Sequence, residues 1–313
     1  MTARIIMKLD VIGREPAGDG TIRLIFKHPW RDTLPEWTPG AHVDVRLPDG
    51  KIRQYSLIGD PRRKDVYVVA VKQETDGRGG SRWIHDALTP GTQAHVTAPR
   101  NNFPLTAHNG RTVLIAGGIG VTPLLSMARA LAERHADFVL HYCSRTEHAP
   151  LLDELRAICG EKLHLHTSGG SRFDAAAVLG QQDPSSAQVY CCGPDRLTAS
   201  VRAATEGWNP DAVHFEIFQP TLDENFKAEP FDVTIASSGQ TIRIPADRSA
   251  LDVLRENGFI LPSSCELGVC GSCECGYRDG IVIHRDSVLK LSARQDRMML
   301  CVSRARVSVT VDL

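Results

Sequence analysis

The composition of the chain excludes several functional classes. It has 313 residues, with 36 lysines and arginines against 37 aspartates and glutamates, so no basic field points to nucleic acid or to an anionic membrane. No apolar run approaches the ~20 residues that a membrane helix needs. Because Met1–Lys8 lacks the apolar core of a signal peptide, we expect a cytoplasmic protein without nucleic-acid or membrane partners.

The N-terminal third has the pattern of short strands broken by turns. Pro48-Asp49-Gly50 supplies a hairpin turn, and an amphipathic helix is predicted at about Ser81 to Leu88. Strand-like segments lie at 41–47, 52–58 and 66–71. We therefore expect an antiparallel β-barrel domain over residues 1–105.

After Leu105 the pattern changes to strands that alternate with helices. The strand-like segment Thr112 to Ala116 leads through a glycine turn into a helix, with Thr122 expected to cap it and Pro123 at its first position. Further buried strands are predicted at about 138–142, 163–167, 188–192 and 213–217. Such alternation predicts an α/β domain with a parallel sheet over residues 106–218.

The rest of the chain begins with a polar, proline-bounded segment, 219–230, that we interpret as a linker. Ser249 is placed to cap a helix that ends before Gly258. Strands are predicted at 231–236, 241–244 and 307–311. This order favours a third domain, 231–313, with the α+β fold of a ferredoxin-like β-grasp, so the chain is predicted to be multidomain.

Four cysteines in the last domain have the spacing of iron–sulfur ligands. A C-x4-C-x2-C run followed by a distant fourth cysteine is the plant-type pattern for a 2Fe-2S cluster. The predicted ligands are Cys265, Cys270, Cys273 and Cys301. Because three thiolates must converge from one loop, we expect Gly268 and Gly271 to provide the tight curl, and backbone N–H groups to point toward the sulfurs.

Other interpretations explain these cysteines less well. A zinc site usually has two separated C-x2-C pairs or a mixture of Cys and His. Here only Cys270 and Cys273 form such a pair, and Cys301 is not part of a second one. A disulfide framework suits a short secreted chain. Burial as small apolar side chains fits Cys143, Cys159 and Cys191, while Cys275 is expected to be a bystander on the strand after the loop.

The twelve histidines are scattered without ligand clustering. His164 and His166 share one face of a predicted strand, but a metal site would need a third ligand. We therefore interpret both as surface residues.

Two turns in the α/β domain are candidates for binding a dinucleotide. Gly117, Gly118 and Gly120 lie between a strand and a helix, where backbone N–H groups and the helix dipole favour a phosphate. Pro123 stands where the third glycine of G-x-G-x-x-G is expected. Cys192-Gly193-Pro194 follows another strand and would form the second edge of such a site. Taken alone, each turn is also consistent with a purely structural role.

The sequence leaves the choice between NADH and NADPH open. The strand that ends at Tyr142 is followed by Ser144-Arg145-Thr146 and not by the acidic residue that would hold a ribose 2′-hydroxyl. An arginine at this place could accept a 2′-phosphate.

Arg53-Gln54-Tyr55-Ser56, on a predicted barrel strand, combines side chains that suit a planar phosphorylated cofactor. Ordinary alternation along a strand explains the tetrapeptide as well. The chemistry favours a flavin, because nicotinamide gives up two electrons as a hydride and a 2Fe-2S cluster accepts one at a time.

With these motifs in hand, the chain resembles the phthalate dioxygenase reductase family of the ferredoxin-NADP reductase superfamily. In that family FMN, nicotinamide and plant-type ferredoxin domains follow in this order, and the likeness covers essentially the whole chain. The motifs that carry it are Arg53-Gln-Tyr-Ser56, Gly77-Arg-Gly-Gly-Ser81, Pro99-Arg-Asn-Asn-Phe-Pro104, Gly117-Gly-Ile-Gly-Val-Thr-Pro123, Cys192-Gly-Pro194, Glu216-Ile-Phe218 and the four cysteines.

The resemblance implies roles for individual residues. Arg53 and the Gly79-Gly80-Ser81 turn would hold the FMN phosphate, Tyr55 would pack on the flavin and Ser56 would lie near its N5. The residues implied around the nicotinamide are Gly118, Thr122, Cys192 and Gly193, and those implied to close the flavin pocket are Glu216 and Phe218. The full predicted cofactor-binding set is Arg53, Gln54, Tyr55, Ser56, Gly79, Gly80, Ser81, Gly117, Gly118, Gly120, Thr122, Cys192, Gly193, Pro194 and Phe218. The residues predicted as catalytic are Ser56, Thr122, Cys192 and Glu216.

We therefore predict an NADH-dependent reductase that passes electrons through FMN and a 2Fe-2S cluster to a Rieske-type oxygenase. One alternative is an FAD-containing reductase that serves a diiron monooxygenase or a cytochrome P450. Another is a redox sensor without turnover. The complete set of nicotinamide, flavin and cluster sites favours catalytic electron transfer over this alternative.

Overall fold

The computed structural model describes residues 5–75, 79–218 and 225–313. The chain divides into two compact units, Met1–Glu216 and Ile217–Leu313. The first unit contains two sheets and the second contains one. The predicted boundary at 105–106 falls between the two sheets of the first unit and stays a prediction. So does the linker at 219–230, of which 219–224 lie outside the described residues.

The first sheet is a six-stranded antiparallel barrel. Its strands are β1 (Ile6–Pro16), β2 (Thr21–Lys27), β3 (His42–Arg46), β4 (Ile52–Ser56), β5 (Val66–Lys72) and β6 (Gln93–Thr97), in the order β4-β3-β6-β1-β2-β5. The two edges meet, because Leu57 forms a bridge with Val69 and Ile58 N donates to Val68 O at 2.9 Å. Closure protects both edge strands, and it confirms the predicted barrel. Helix α1 (Gly80–Ala87) follows β5.

The second sheet is parallel throughout, which confirms the α/β prediction. Its strands are β7 (Thr112–Gly117), β8 (Phe138–Ser144), β9 (Leu163–Thr167), β10 (Gln188–Cys192) and β11 (Val213–Glu216). The helices that alternate with them are α2 (Val121–Glu133), α3 (Leu152–Cys159), α4 (Ala175–Leu179) and α5 (Asp195–Ala204). The strand order is β11-β10-β7-β8-β9, so the direction of winding reverses between β7 and β10. Ligands of open α/β sheets bind beyond the carboxyl ends of the strands at such a reversal.

The predicted capping role of Thr122 is wrong. A 3-10 turn at Gly118–Gly120 already has helical backbone angles at Gly120, so α2 begins at Val121 and Thr122 is its second residue. The Thr122 hydroxyl donates to Ile119 O at 3.0 Å and thus ties the helix to the preceding turn.

His164 is exposed, as the sequence predicts for a surface residue, whereas His166 is partly buried beside a third histidine. His141 on β8 lies beside both of them, with ring centroids 5.0 Å from His164 and 5.3 Å from His166. His141 Nδ1 and His166 Nε2 are 3.0 Å apart, and the ring of His141 is buried. The cluster arises because β8 and β9 pair in a register that places His141 opposite His164.

The second unit has the β-grasp arrangement. Its strands are β12 (Phe231–Ile235), β13 (Thr241–Ile244), β14 (Glu274–Ile283), β15 (Arg297–Met299) and β16 (Arg304–Val311), in the order β13-β12-β16-β14-β15. The first and last strands of the unit, β12 and β16, run parallel. Helix α6 (Ala250–Glu256) has the predicted cap, because Ser249 Oγ accepts from Asp252 N at 3.1 Å. Within the described residues, no helix has the length and apolar character to cross a membrane.

Candidate functional site

Arg53 and the turn before α1 come together as a phosphate cradle. A Cβ on Gly80 would lie 2.4 Å from Arg53 Nε, so the glycine lets the guanidinium approach the start of the helix. Gly79 has φ of 79° and Trp83 N donates to its carbonyl at 3.0 Å. Free N–H groups and the dipole at a helix start attract a phosphate, and an arginine adds charge. The arrangement fits an FMN phosphate.

The side chains of Tyr55 and Ser56 continue along β4 from this cradle. Tyr55 is half-buried, and burial raises the pKa of its phenol, so the ring stays neutral. Ser56 is 4% exposed, and its Oγ is a buried atom without a hydrogen-bond partner among the described residues. Such an atom needs a partner, which a bound flavin nitrogen would provide.

Gln54 and Ser81 are engaged with the protein itself. Gln54 Nε2 lies 3.1 Å from His42 Nε2 and 3.2 Å from Asp44 Oδ1. The Asp44 side chain is fully buried and pairs with Arg100 at 2.7 Å. Ser81 Oγ accepts from the backbone N–H of Glu74 at 3.0 Å. Cofactor contacts by Gln54 and Ser81 therefore remain predictions.

The two glycine-containing turns of the parallel sheet pack backbone against backbone. Because β7 and β10 pair directly, Gly117 and Gly193 leave the sheet side by side, and a Cβ on Gly193 would lie 3.0 Å from Gly117 Cα. A Cβ on Gly117 would lie 2.6 Å from Pro194 Cδ, and one on Gly120 would lie 2.4 Å from Cys192 O. These turns stand at the reversal of strand order, where a dinucleotide is expected. Gly118, with φ of 54°, leaves open space at its Cα.

Cys192 and Glu216 face each other across β10 and β11. They are register partners at the ends of the two strands. Burial raises the pKa of the Cys192 thiol well above its usual value, and the Glu216 carboxyl raises it further. Burial also raises the pKa of Glu216 to about 8, and its Oε2 has no hydrogen-bond partner among the described residues. The pair therefore offers a neutral thiol and a protonated carboxyl near pH 7.

Phe218 belongs to the second unit and is 37% exposed. Its predicted place at the flavin stays a prediction. Residues 76–78 lie outside the described residues, so Gly77 and Arg78 of the family motif are not placed.

The four predicted ligand cysteines lie together in the second unit as two pairs. Cys270 has its pKa lowered to about 5 by a hydrogen bond from Cys265, and the same bond raises the pKa of Cys265. In the second pair, a hydrogen bond from Cys301 lowers the pKa of Cys273. Two thiol pairs suit two irons held by four cysteines.

The cysteine loop has the backbone features that the sequence predicts. Gly268 and Gly271 both have φ of 75°. Backbone N–H groups point at sulfur, with Leu267 N donating to Cys265 Sγ at 3.3 Å and Cys265 N donating to Cys270 Sγ at 3.5 Å. Cys275 lies on β14 in the apolar core, as expected for a bystander.

A buried carboxylate that sequence reasoning missed orders the segment that is hydrogen-bonded to this loop. The Asp286 side chain is fully buried, its Oδ2 accepts from Leu289 N at 2.9 Å, and Arg294 lies 3.6 Å away. The adjoining Ser287 N donates to Gly268 O at 3.0 Å. The acidic residue alone gave no sign of this role, because the role depends on a fold that returns residues 284–294 to the loop.

Comparison with known proteins agrees with this architecture. Residues 114–203 match the model of an oxidoreductase NAD-binding domain, and residues 233–306 match that of a 2Fe-2S iron–sulfur cluster binding domain. The phthalate 4,5-dioxygenase oxygenase reductase subunit of Pseudomonas putida is 43% identical over 97% of this chain and 95% of its own length.

Two solved structures are similar over nearly the whole chain. Phthalate dioxygenase reductase, described as a modular structure for electron transfer from pyridine nucleotides to a 2Fe-2S centre, has a TM-score of 0.77 at 37% identity and covers 98% of both chains. An intact type IV self-sufficient cytochrome P450 monooxygenase has a TM-score of 0.86 at 37% identity, over 98% of this chain and 41% of that one.

The fold and the sites define an oxidoreductase that joins an NAD-binding domain to a 2Fe-2S domain, an electron-transfer reductase of oxygenase systems. More particularly, the chain belongs to the phthalate dioxygenase reductase family, which confirms the resemblance found in the sequence. Members of this family bind FMN, NADH and a 2Fe-2S cluster, and the residues around Arg53, Gly117 and Cys270 fit these groups.

Proposed function

We propose that this chain takes electrons from NADH in the cytoplasm and delivers them singly, by way of FMN and a 2Fe-2S cluster, to a Rieske-type oxygenase. The observation that carries the proposal is that one chain contains both the dinucleotide edge at the strand reversal and the two thiol pairs. The likeness to a phthalate 4,5-dioxygenase reductase subunit supports the type of acceptor.

When bound, the flavin supplies the change from hydride to single-electron chemistry that links nicotinamide to an iron–sulfur centre. The residues of the protein bind the cofactor, orient it and exclude water from the site. Arg53 and the start of α1 anchor the phosphate, so the ring end of the cofactor lies toward Tyr55 and Ser56. Ser56 Oγ is available to hydrogen-bond a ring nitrogen because it has no partner among the described residues.

Cys192 and Glu216 define the place where the nicotinamide would react. Gly117, Gly120 and Gly193 let the two turns pack closely against each other, and Gly118 has open space at its Cα where the dinucleotide could approach. A protonated Glu216 can hold a proton near the reacting atoms without placing a negative charge beside an incoming hydride. Burial raises the pKa of the Cys192 thiol as well, so the thiol stays neutral, and its small side chain forms one wall of the site.

The experiment that tests the proposal is anaerobic titration of the purified protein with NADH, followed by visible spectra with flavin and iron measured on the same sample. We expect one FMN and two irons per chain, with both chromophores bleaching. Bleaching of a flavin without any iron would overturn the assignment of the cysteine loop. An extracted cofactor that proved to be FAD would overturn the assignment of the flavin.

Cys270→Ser separates the two halves of the path. Flavin reduction by NADH should stay within about twofold of the wild type, because the substitution lies in the other unit. Reduction of cytochrome c or of a Rieske acceptor should fall by at least ~100-fold when a ligand is lost. Cys275→Ser is the matched control, since it changes a buried cysteine that is not a predicted ligand.

A haem acceptor is a second candidate, and the similarity to a self-sufficient cytochrome P450 favours it. Stopped-flow mixing of the reduced protein with a Rieske oxygenase and with a cytochrome P450 distinguishes the two. Faster oxidation by the Rieske protein supports the main proposal, and faster oxidation by the cytochrome supports the alternative.

A further inference from the structure

Glu266 has an unusual backbone conformation directly after the predicted ligand Cys265. Its φ is 55°, in the left-handed region that side chains other than glycine rarely occupy. Gly268 and Gly271 take positive φ in the same loop, where the absence of a Cβ removes the cost. Strain of this kind persists only where the surrounding structure offsets it, and it collects at functional sites. The strain therefore indicates that the Glu266 side chain has a role in the loop.

Two side chains hold the Glu266 carboxylate in one place. Ser263 Oγ donates to Glu266 Oε1 at 2.8 Å, and Arg255 Nη1 lies 3.1 Å from the same oxygen. Arg255 also donates to Leu261 O at 2.8 Å, which fixes its guanidinium beside the loop. The Glu266 side chain is 38% exposed and that of Arg255 is 36% exposed, so water surrounds the pair only in part. The loop thus carries a fixed negative charge with one positive charge next to it.

Chain connectivity places this charge near the sulfurs. Consecutive Cα atoms are ~3.8 Å apart, so even with extended side chains the Glu266 carboxylate lies within roughly 11 Å of Cys265 Sγ. The backbone turns around that sulfur, since Leu267 N donates to Cys265 Sγ at 3.3 Å. Reduction of a 2Fe-2S site adds one negative charge, and net charge is among the properties that set its reduction potential. A partly screened carboxylate at this distance therefore opposes the entry of an electron.

We propose that Glu266 lowers the reduction potential of the cluster through its charge, and that Arg255 offsets part of that charge. The cluster thereby remains a good donor for the single electron that it receives from the flavin and passes to the acceptor. The inference rests on the proposed function, because it deepens the role of the cluster stated there. Neither residue is a predicted ligand, so both act on the cluster at a distance.

The test measures the midpoint potential of the cluster by anaerobic spectroelectrochemical titration of the flavin- and iron-loaded full chain. For Glu266→Gln we expect the equilibrium constant for cluster reduction to rise about 5-fold, because a like charge is removed. That change corresponds to about 40 mV, at 59 mV per tenfold for one electron. For Arg255→Met we expect the constant to fall about 3-fold, because a compensating positive charge is lost. A merely structural support of the loop would shift both variants in the same direction.

Asp232→Asn is the matched control. Asp232 pairs with Arg243 at 3.1 Å and is 35% exposed, so this ion pair matches that of Glu266 in distance and exposure. It lies on β12, three strands from β15, which leads to Cys301. Strands are ~4.8 Å apart, so the charge is more than a Debye length from β15, and the constant should change less than about twofold.

Glu266→Gly separates the charge from the strain. It should raise the equilibrium constant about 5-fold, as Glu266→Gln does, because both variants lose the carboxylate. Its urea midpoint should be higher than that of Glu266→Gln, because glycine adopts positive φ without a steric cost. Iron measured on the same samples should stay at about two per chain in every variant, as expected for residues that are not ligands.

Three outcomes overturn the inference. An unchanged constant in Glu266→Gln, or shifts of the same sign in Glu266→Gln and Arg255→Met, means that the pair supports the loop without tuning the cluster. An equal shift in Asp232→Asn means that only the net charge of the unit matters. Each of these results leaves the proposed function standing, whereas a wild-type protein without iron would contradict the proposed function itself.

Discussion

The nucleotide edge and the cysteine loop both bring backbone close to a bound group, but they are built differently. At the edge, Gly117 and Gly193 follow two strands whose direct pairing fixes where each turn begins. In the loop, residues 261–273 form no helix or strand. The loop is held by two glycines with positive φ, by N–H groups that point at sulfur and by the residues around Asp286.

The difference shows which part of the protein needs its cofactor to keep its shape. Sheet hydrogen bonds hold the edge whether or not a dinucleotide is bound. Thiolates that converge on one small region repel each other unless a cluster lies between them, so the loop depends on the cluster for its stability. Substitutions at the edge should therefore act on folding and coenzyme affinity, and substitutions in the loop should act on iron content.

Gly120→Ala tests the edge with the largest expected effect. Its Cβ would lie 2.4 Å from Cys192 O and 2.9 Å from Gly193 N, which are backbone atoms that cannot move without breaking the sheet. We expect about 3 kcal/mol of lost stability and at least ~10-fold weaker binding of ADP-ribose. Urea unfolding and calorimetry measure the two. Gly169→Ala, with open space around its Cα, is the control, and equal results for both variants would mean that the edge is not tightly packed.

Gly268→Ala tests the loop. Gly268 and Gly271 share φ of 75°, but a Cβ on Gly268 would meet Val302 Cγ2 at 2.6 Å, whereas one on Gly271 finds its nearest neighbour at 3.7 Å. Both alanines carry the cost of a left-handed backbone, about 1 kcal/mol, and only the first adds a steric clash. We expect Gly268→Ala to lose most of its iron and Gly271→Ala to keep most of it, as measured by iron analysis. Equal iron loss in the two variants would show that the positive φ, and not the clash with Val302, determines the iron content.

Local patterns predicted much of this from the sequence. The cysteine spacing, the two loop glycines and the positions of β9, β10 and β13 depend on residues that are neighbours in the chain, and the structure bears them out. The start of α2 was missed because it depends on the helical angles of the preceding glycine turn, which composition does not reveal.

The remaining features depend on contacts between distant segments. Asp19 lies far along the chain from Thr146, and only the packing of a barrel turn against the parallel sheet brings them together. The same holds for the buried pair of Asp44 and Arg100, and for His141 beside His166. No periodic pattern encodes such pairs, so a single sequence cannot predict them.

Glu216→Gln tests the nucleotide edge through the pH dependence of the free energy of unfolding. Burial raises the pKa of Glu216 from 4.5 to about 8. Because the folded chain then binds this proton more tightly than the unfolded chain, the free energy of unfolding should decline as pH rises from about 4.5 to about 8. Because Glu216 is half-buried, solvent screening limits this decline in the free energy of unfolding to on the order of 2 kcal/mol.

The measurement is urea unfolding of flavin-free protein at several pH values. In Glu216→Gln the decline between pH 5 and about 8 should shrink, since the group no longer titrates. Glu206→Gln, an exposed carboxylate of the same unit, should leave the decline unchanged. A wild-type stability that does not change over this range would mean that Glu216 ionises normally.

Arg255→Met should have the smallest effect, because it removes a partly exposed support of the loop. The guanidinium donates to Leu261 O at 2.8 Å and to Ser263 Oγ at 2.6 Å, and it pairs with Glu266 at 3.1 Å. Its side chain is 36% exposed, so the network contributes only about 1 kcal/mol.

Iron content should therefore be normal in Arg255→Met, while a chelator should remove the iron about 5-fold faster, the ratio that a cost of ~1 kcal/mol implies. Arg243→Met is the control, since Arg243 forms an exposed ion pair with Asp232 on the β12–β13 hairpin. If both variants released iron at the wild-type rate, polar contacts around the loop would be dispensable. The cluster and the glycines would then hold the loop alone, which would widen its contrast with the hydrogen-bonded nucleotide edge.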